Sequence, residues 1–301
     1  MITKGNFLLM ERREFRDWLK AQTITRKIER LQVHHTAAPN YVTRRMVAGL
    51  AQQDHFACLE GMRTFHLSQG WSGTGQNITT FEDGKIAISL DRNLNATPAG
   101  IKGANTGALC IEHVGNFDKG GDTMTEAQRD TIVHLYACLC EKLSITPSVN
   151  TIVYHAWYKA DGTWLGDYAA GKSSKTCPGT AFWGAGNSKA AAQKSFIPDI
   201  AAELAKLKNG DGDEMTTEEK AAFKTLQETV AAQAKRIETL EGREQMAKVP
   251  AWAEAACVAA KKAGVIDTAN DGSYDFYRFI TVLYRRGFFG TVGAVPVKEA
   301  K

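Results

Sequence analysis

No apolar run in this 301-residue chain is long enough to span a membrane, which excludes a transmembrane helix. Met1 to Leu9 holds no secretory apolar core and runs straight into Glu11-Arg12-Arg13-Glu14, so no signal peptide is expected. Cysteine is scarce, with Cys58, Cys110, Cys138, Cys140, Cys177 and Cys257 in all. All but Cys177 fall in helix-like or strand-like stretches, where cysteine behaves as a small apolar residue. Cys138-Leu139-Cys140 has a single intervening residue, too few for a zinc half-site. A disulfide framework is therefore not expected, and the pattern suits a reducing cytoplasm. Asp267–Gly272 reads as a turn rather than a calcium loop, because Ala269 takes a ligand position and no Glu closes the loop. The net charge is +4, with the excess inside residues 1–195, and no DNA-reading motif is present, so nucleic acid is not an expected partner.

Three side chains on separate stretches are suited to hold a metal. His34 ends the alternating run Ile28-Glu29-Arg30-Leu31-Gln32-Val33, and His155 ends Thr151-Ile152-Val153-Tyr154. Each reads as a strand delivering its last side chain to the sheet end. Cys177 lies in Lys175-Thr176-Cys177-Pro178-Gly179, where Pro178 fixes φ and Gly179 permits a turn. Two imidazoles and one thiolate match a catalytic Zn²⁺ site whose fourth position stays open to water, which points to metal-assisted hydrolysis.

The expected architecture is α/β, a central mixed sheet flanked by helices. An amphipathic helix at 11–21 precedes strand 28–35, and helices follow at 41–48 and 51–67. Residues 76–93 read as two strands joined at Glu82-Asp83-Gly84, a hairpin signal. Strand 107–114 carries Glu112, and Thr125 with Gln128 forms a capping-box pattern opening a helix to Leu143. Strand 150–155 comes next, and the loop 156–176 is long enough to form a substrate-contacting rim.

From about Ile28 to Phe182 the chain resembles the zinc-dependent N-acetylmuramoyl-L-alanine amidases of the phage-lysozyme and peptidoglycan-recognition-protein superfamily. The landmarks, in the family's order, are Val33-His34-His35-Thr36, Phe65-His66, Gly70-Trp71, Gly75-Gln76-Asn77, Phe81 to Ile86, Cys110-Ile111-Glu112, Val153-Tyr154-His155 and Lys175-Thr176-Cys177-Pro178. The resemblance implies Zn²⁺ on His34, His155 and Cys177. Adjacent strand residues face opposite ways, so His35 is expected to be structural. The reaction implied is hydrolysis of the amide between the lactyl group of N-acetylmuramic acid and L-alanine. Glu112 would serve as proton shuttle and Lys175 as oxyanion partner. Their structural alternatives are a buried ion pair and a solvated loop lysine. Many family members carry Tyr where this chain has Gln76, whose amide can donate a hydrogen bond but cannot exchange a proton near neutral pH. A non-catalytic peptidoglycan-binding protein is the alternative this raises, and the retained Cys177 argues against it. A wall hydrolase without a signal peptide fits a phage endolysin held in the host cytoplasm until release to the cell wall.

The expected domains are a zinc amidase at 1–195, a linker with an amphipathic helix at 209–246, and a small helical wall-binding module at 247–292. Asn209 to Asp213 is a polar break, and Thr216 with Glu219 caps the next helix. There, Phe223, Leu226, Val230, Gln233, Ile237 and Leu240 recur at spacings of 3 and 4, a short coiled-coil seam. This 217–242 helix is either the contact of a homo-oligomer or a stiff spacer. Two helices follow, the second with Phe276, Phe279, Ile280 and Leu283 expected on one face. This last segment resembles a single surface-layer-homology-like repeat, which implies a cell-wall polymer as its ligand. No membrane insertion is expected.

Overall fold

The computed structural model describes residues 1–209 and 217–290. The chain divides into two compact units, Met1–Glu214 and Met215–Lys301.

The first unit opens with a hairpin that no alternation in its sequence announces, β1 (Ile2–Lys4) and β2 (Phe7–Met10). Helix α1 (Arg12–Ala21) follows and buries Phe15 and Leu19, each worth roughly 1.5–3 kcal/mol in removed apolar surface. β3 (Arg30–His35) is buried along nearly its whole length, as befits a strand with sheet on both sides.

Residues 41–48, expected as a helix, instead form turns and a small hairpin, β4 (Met46–Val47) with β5 (Leu50–Ala51). Two causes are visible. Arg45 and Ala48 adopt left-handed φ of 55° and 50°, which a right-handed helix cannot contain. Arg44 is drawn wholly inside, where Nη2 lies 2.5 Å from Glu82 Oε1. The next helix, α2 (His55–Ser68), begins only where Asp54 accepts a cap bond from the Ala57 N–H at 3.1 Å.

β6 (Ile78–Thr80) and β7 (Ile86–Ser89) are joined through the expected turn, in which Gly84 has φ +85°. β8 (Ala108–His113) precedes α3 (Glu126–Leu143), capped by Thr125 through the Gln128 N–H at 3.1 Å. The Gln128 side chain does not reach back to complete a capping box. It donates instead to Val114 O at 2.9 Å, tying the helix to the end of β8. β9 (Ile152–Tyr154) completes a seven-stranded sheet of order β1-β2-β7-β6-β8-β3-β9. β6, β8, β3 and β9 run parallel, while β1, β2 and β7 pair antiparallel.

Two further helices, α4 (Lys189–Lys194) and α5 (Phe196–Asn209), extend this unit past residue 195. α5 buries Phe196, Ile197, Ile200, Leu204 and Leu207 and packs on α3. Arg16 Nη2 joins three helices, donating to Glu141 Oε1 at 2.9 Å and to Leu207 O at 2.8 Å. The break expected at Gly210 to Asp213 and the Thr216 cap lie outside the described residues, as does the side chain of Glu219.

The second unit contains α6 (Thr217–Glu244), a 3-10 turn at Ala251–Ala253, α7 (Glu254–Lys262) and α8 (Tyr274–Arg285). Its small core consists of Ala253, Ala256, Cys257, Ala260, Tyr277 and Ile280. The buried face of α8 is Tyr277, Ile280 and Thr281, whereas Phe279, expected inside, is exposed. Tyr277 wins the interior because its hydroxyl is satisfied there, donating to Ala269 O at 2.8 Å and accepting from the Gly272 N–H at 3.1 Å. Among the described residues no helix is long and apolar enough to cross a membrane.

Candidate metal centre

The parallel strands deliver the site. His34 and Glu112 are register partners on β3 and β8, and His155 is the first residue beyond β9. All three therefore emerge at the carboxyl ends of parallel strands, the usual place for a site in such sheets. Cys177 reaches them from its loop, which is tied to the sheet by the Ala156 N–H donating to Cys177 O at 2.7 Å. Gly179 sets the loop's path. Its φ is +127°, and a Cβ there would lie 2.3 Å from Phe117 O.

One donor atom each from His34, His155 and Cys177 lies within 4.8 Å of the other two, and all three residues are buried. The His34 and His155 Nδ1 atoms are 3.2 Å apart. Burial and the neighbouring His155 hold His34 well below the usual imidazole range, and burial with Lys175 takes His155 down to about 4. Both rings are thus neutral, the form that ligates a metal. Burial and the Glu112 carboxylate push the Cys177 thiol well above its ordinary range. A thiolate there needs a cation beside it, and the His35 N–H already points at Sγ from 3.3 Å. The chemistry of this donor set fits Zn²⁺.

Gln32 was not singled out by sequence reasoning. Its Nε2 donates to Ala104 O at 2.9 Å, which leaves Oε1 turned toward His34 Nε2 at 3.4 Å. That acceptor assigns the His34 proton to Nε2 and leaves Nδ1 as a lone pair, the outer-sphere arrangement common to metal-binding histidines. The signal was available, because residues i and i+2 of a strand share a face. A Cβ on Gly100 would sit 2.4 Å from Gln32 Oε1, so that glycine leaves room for the amide.

Glu112 Oε1 is 3.9 Å from His34 Nδ1, and Oε2 is buried without a hydrogen-bond partner. Burial raises its carboxyl to about 8 against the opposing pull of Lys175. Cys110, His34 and Glu112 form a second, overlapping donor group at the same place. Lys175 is exposed at the rim. Gln76 is buried and donates to Thr79 Oγ1 at 3.0 Å, so its unpartnered Oε1 presents an acceptor where a donor was expected. His35 Nδ1 accepts from the Phe117 N–H at 3.0 Å, a structural role. These groups line a cleft of about 750 Å³ whose lining also includes Phe65, His66 and Trp71. The His66 and Trp71 rings stack at 4.7 Å, and the Gly75 N–H donates to His66 Nδ1 at 3.1 Å. Asp118 braces the Cys177 loop, accepting from the Thr176 hydroxyl at 2.9 Å and the Thr180 N–H at 2.8 Å.

A mixed sheet bringing two imidazoles, a thiol and a carboxyl of raised pKa into one cleft is the arrangement of an amide-hydrolase site. Residues 24–180, just over half of the chain, match the family of N-acetylmuramoyl-L-alanine amidases (Amidase_2), and the chain belongs to that family. Among solved structures it is similar to the N-acetylmuramoyl-L-alanine amidase LysC from Clostridium intestinale, at 22% identity and TM-score 0.39, over 62% of this chain and 91% of that one. It is also similar to the endolysin amidase LysCS from the same organism, at 23% identity and TM-score 0.36, over 51% and 76%. Drosophila PGRP-LB is similar at 18% identity and TM-score 0.39, over 54% and 84%. No curated protein matches the chain.

Proposed function

We propose that this protein is a peptidoglycan hydrolase that cleaves the amide between the lactyl group of N-acetylmuramic acid and L-alanine of the stem peptide, with Zn²⁺ held by His34, His155 and Cys177. The observation that carries the reading is the convergence of those three donors within 4.8 Å beside the Glu112 carboxyl, in a chain of the amidase family. Zn²⁺ held there supplies Lewis acidity, polarising a carbonyl and acidifying water. In its ionised form, which the Lys175 charge favours, Glu112 takes the proton from the attacking water and passes it to the L-alanine nitrogen as the C–N bond breaks. Lys175 brings positive charge toward the carbonyl oxygen as it becomes anionic. Gln76, in the cleft lining, takes an orienting rather than a proton-transfer role. Residues 1–195 carry the chemistry in this reading, and 247–292 bind a wall polymer. The protein acts as an endolysin, held in the host cytoplasm until it is released to the cell wall.

The second reading, recognition of peptidoglycan without cleavage, is favoured only by Gln76 at the usual Tyr position. Digestion of purified peptidoglycan with and without a chelator, with zinc restoration and a Cys177→Ala control, separates the two. New lactyl carboxylates and L-alanine amines, lost without zinc or in the variant, are the expected products by mass spectrometry. Binding without any cleavage would replace the first reading with the second.

A further inference from the structure

Helix α6 runs for 28 residues, and every described side chain on it, from position 221 to 244, is exposed. Helices in folded proteins owe most of their stability to packing of an apolar face. Among the described residues that face is largely uncovered, and only Ile237 and Leu240, toward its C-terminal end, border α8 across a groove without being buried by it. Phe223, Leu226, Val230, Ile237 and Leu240 form one stripe about 26 Å long at 1.5 Å per residue, each between 50% and 59% exposed.

We infer that α6 pairs with α6 of a second copy of this chain as a parallel, in-register, two-stranded coiled coil. Three features of the stripe select that partner. The first seam position of each heptad holds Phe223, Val230 and Ile237, and the second holds Leu226, Gln233 and Leu240. β-branched residues at the first position with leucine at the second favour two parallel strands. Gln233 interrupts the apolar seam once, and in register its amide meets the same amide of the other copy, which penalises any slipped pairing. Arg236 and Glu241 flank the seam at the two positions that face each other across a parallel dimer. By symmetry each copy's Arg236 then meets the other copy's Glu241, giving two opposite-charge contacts. An antiparallel pair centred on the same stripe faces Arg236 with Gln227 and Thr229, which carry no charge.

The consequence lies at the C-terminal end of the coil. Parallel strands carry both copies of the α7–α8 bundle to the same end, so a ligand bound by one meets the second at high effective concentration. This inference does not depend on the chemistry proposed for the cleft.

Sedimentation of the full chain over a hundredfold range of concentration tests it. A reversible dimer is expected, and Val230→Glu with Ile237→Glu raises its dissociation constant at least tenfold. Both sites are more than half exposed, so the monomer stays folded, which circular dichroism checks. Arg236→Glu alone weakens the dimer, and adding Glu241→Arg restores it. Leu226→Cys forms an interchain disulfide on oxidation, since the six native cysteines are buried. An antiparallel pair would separate the two introduced thiols by about 16 Å, beyond disulfide reach. A monomer at every concentration, a dimer indifferent to the double glutamate substitution, or a dimer that does not crosslink through position 226 would each overturn the inference.

Discussion

Replacing Arg44 with methionine leaves the Glu82 carboxylate buried and unpaired. In the native protein both side chains are fully buried, with Arg44 Nε 3.2 Å from each Glu82 oxygen and Nη2 2.5 Å from Oε1. Nη1 donates to Gln53 O at 3.0 Å, and the guanidinium lies 5.0 Å from the Phe81 ring centre. Breaking a buried pair by removing one partner costs about 3–5 kcal/mol, and the lost bond to Gln53 O adds about 1 kcal/mol. The expected loss is therefore about 4–6 kcal/mol, a large fraction of the roughly 5–15 kcal/mol of an ordinary domain. Arg44→Met with Glu82→Leu removes both charges, and replacing such a pair with apolar groups is often close to neutral. Urea unfolding of the four members of the cycle gives the coupling energy. The reasoning fails if Arg44→Met costs less than about 1 kcal/mol, or if the double variant is as unstable as the sum of the singles.

Gln32→Leu should weaken zinc affinity by about 10–100-fold while Gln32→Glu retains it; equal affinities by chelator competition would remove Gln32 from the site. Gly179→Ala forces a Cβ against Phe117 O and should cost at least about 1–2 kcal/mol together with a loss of zinc affinity; unchanged melting and binding would contradict the tight loop. The hydrogen bond from Arg16 lowers the Glu141 carboxyl below 4.5, burial opposing and the Arg16 charge assisting. Its contribution is thus complete above pH 4.5 and lost as pH falls through the lower folded value, so Glu141→Gln should flatten acid unfolding in that window. Ile200→Ala, at a fully buried position of α5, should cost about 2–5 kcal/mol; a surface-like effect in thermal unfolding would mean that α5 is not part of the core.

The strands and their terminal histidines were legible because alternation marks a face and the residue ending each run names what that face delivers. Glu112 was legible for the same reason. The N-terminal hairpin was not, because Ile2–Lys4 is exposed along its length and carries no alternation. The segment 41–48 was misread because its course depends on Arg44 finding Glu82, 38 residues away in sequence, which no local propensity encodes. Phe279 lost the interior of α8 to Tyr277 for a comparable reason, a hydroxyl satisfied only in the folded loop. Gln32 lay in plain view one strand period before His34, but its importance depends on Ala104 O being in place to fix the amide.

The pairing of His34 with Glu112 on adjacent parallel strands has an engineering consequence. The donor and the carboxyl are fixed to each other by the sheet's own ladder, and His155 follows the strand on the other side of β3. Phe65, His66 and Trp71, which also line the cleft, sit on the end of α2 and the turn beyond it. The strand-end donors and this part of the cleft lining are thus built by different parts of the chain. Exchanging the segment around Phe65–Trp71 would reshape that part of the cleft while leaving the ladder that fixes His34 to Glu112 in place, provided the replacement keeps an acceptor for the Gly75 N–H.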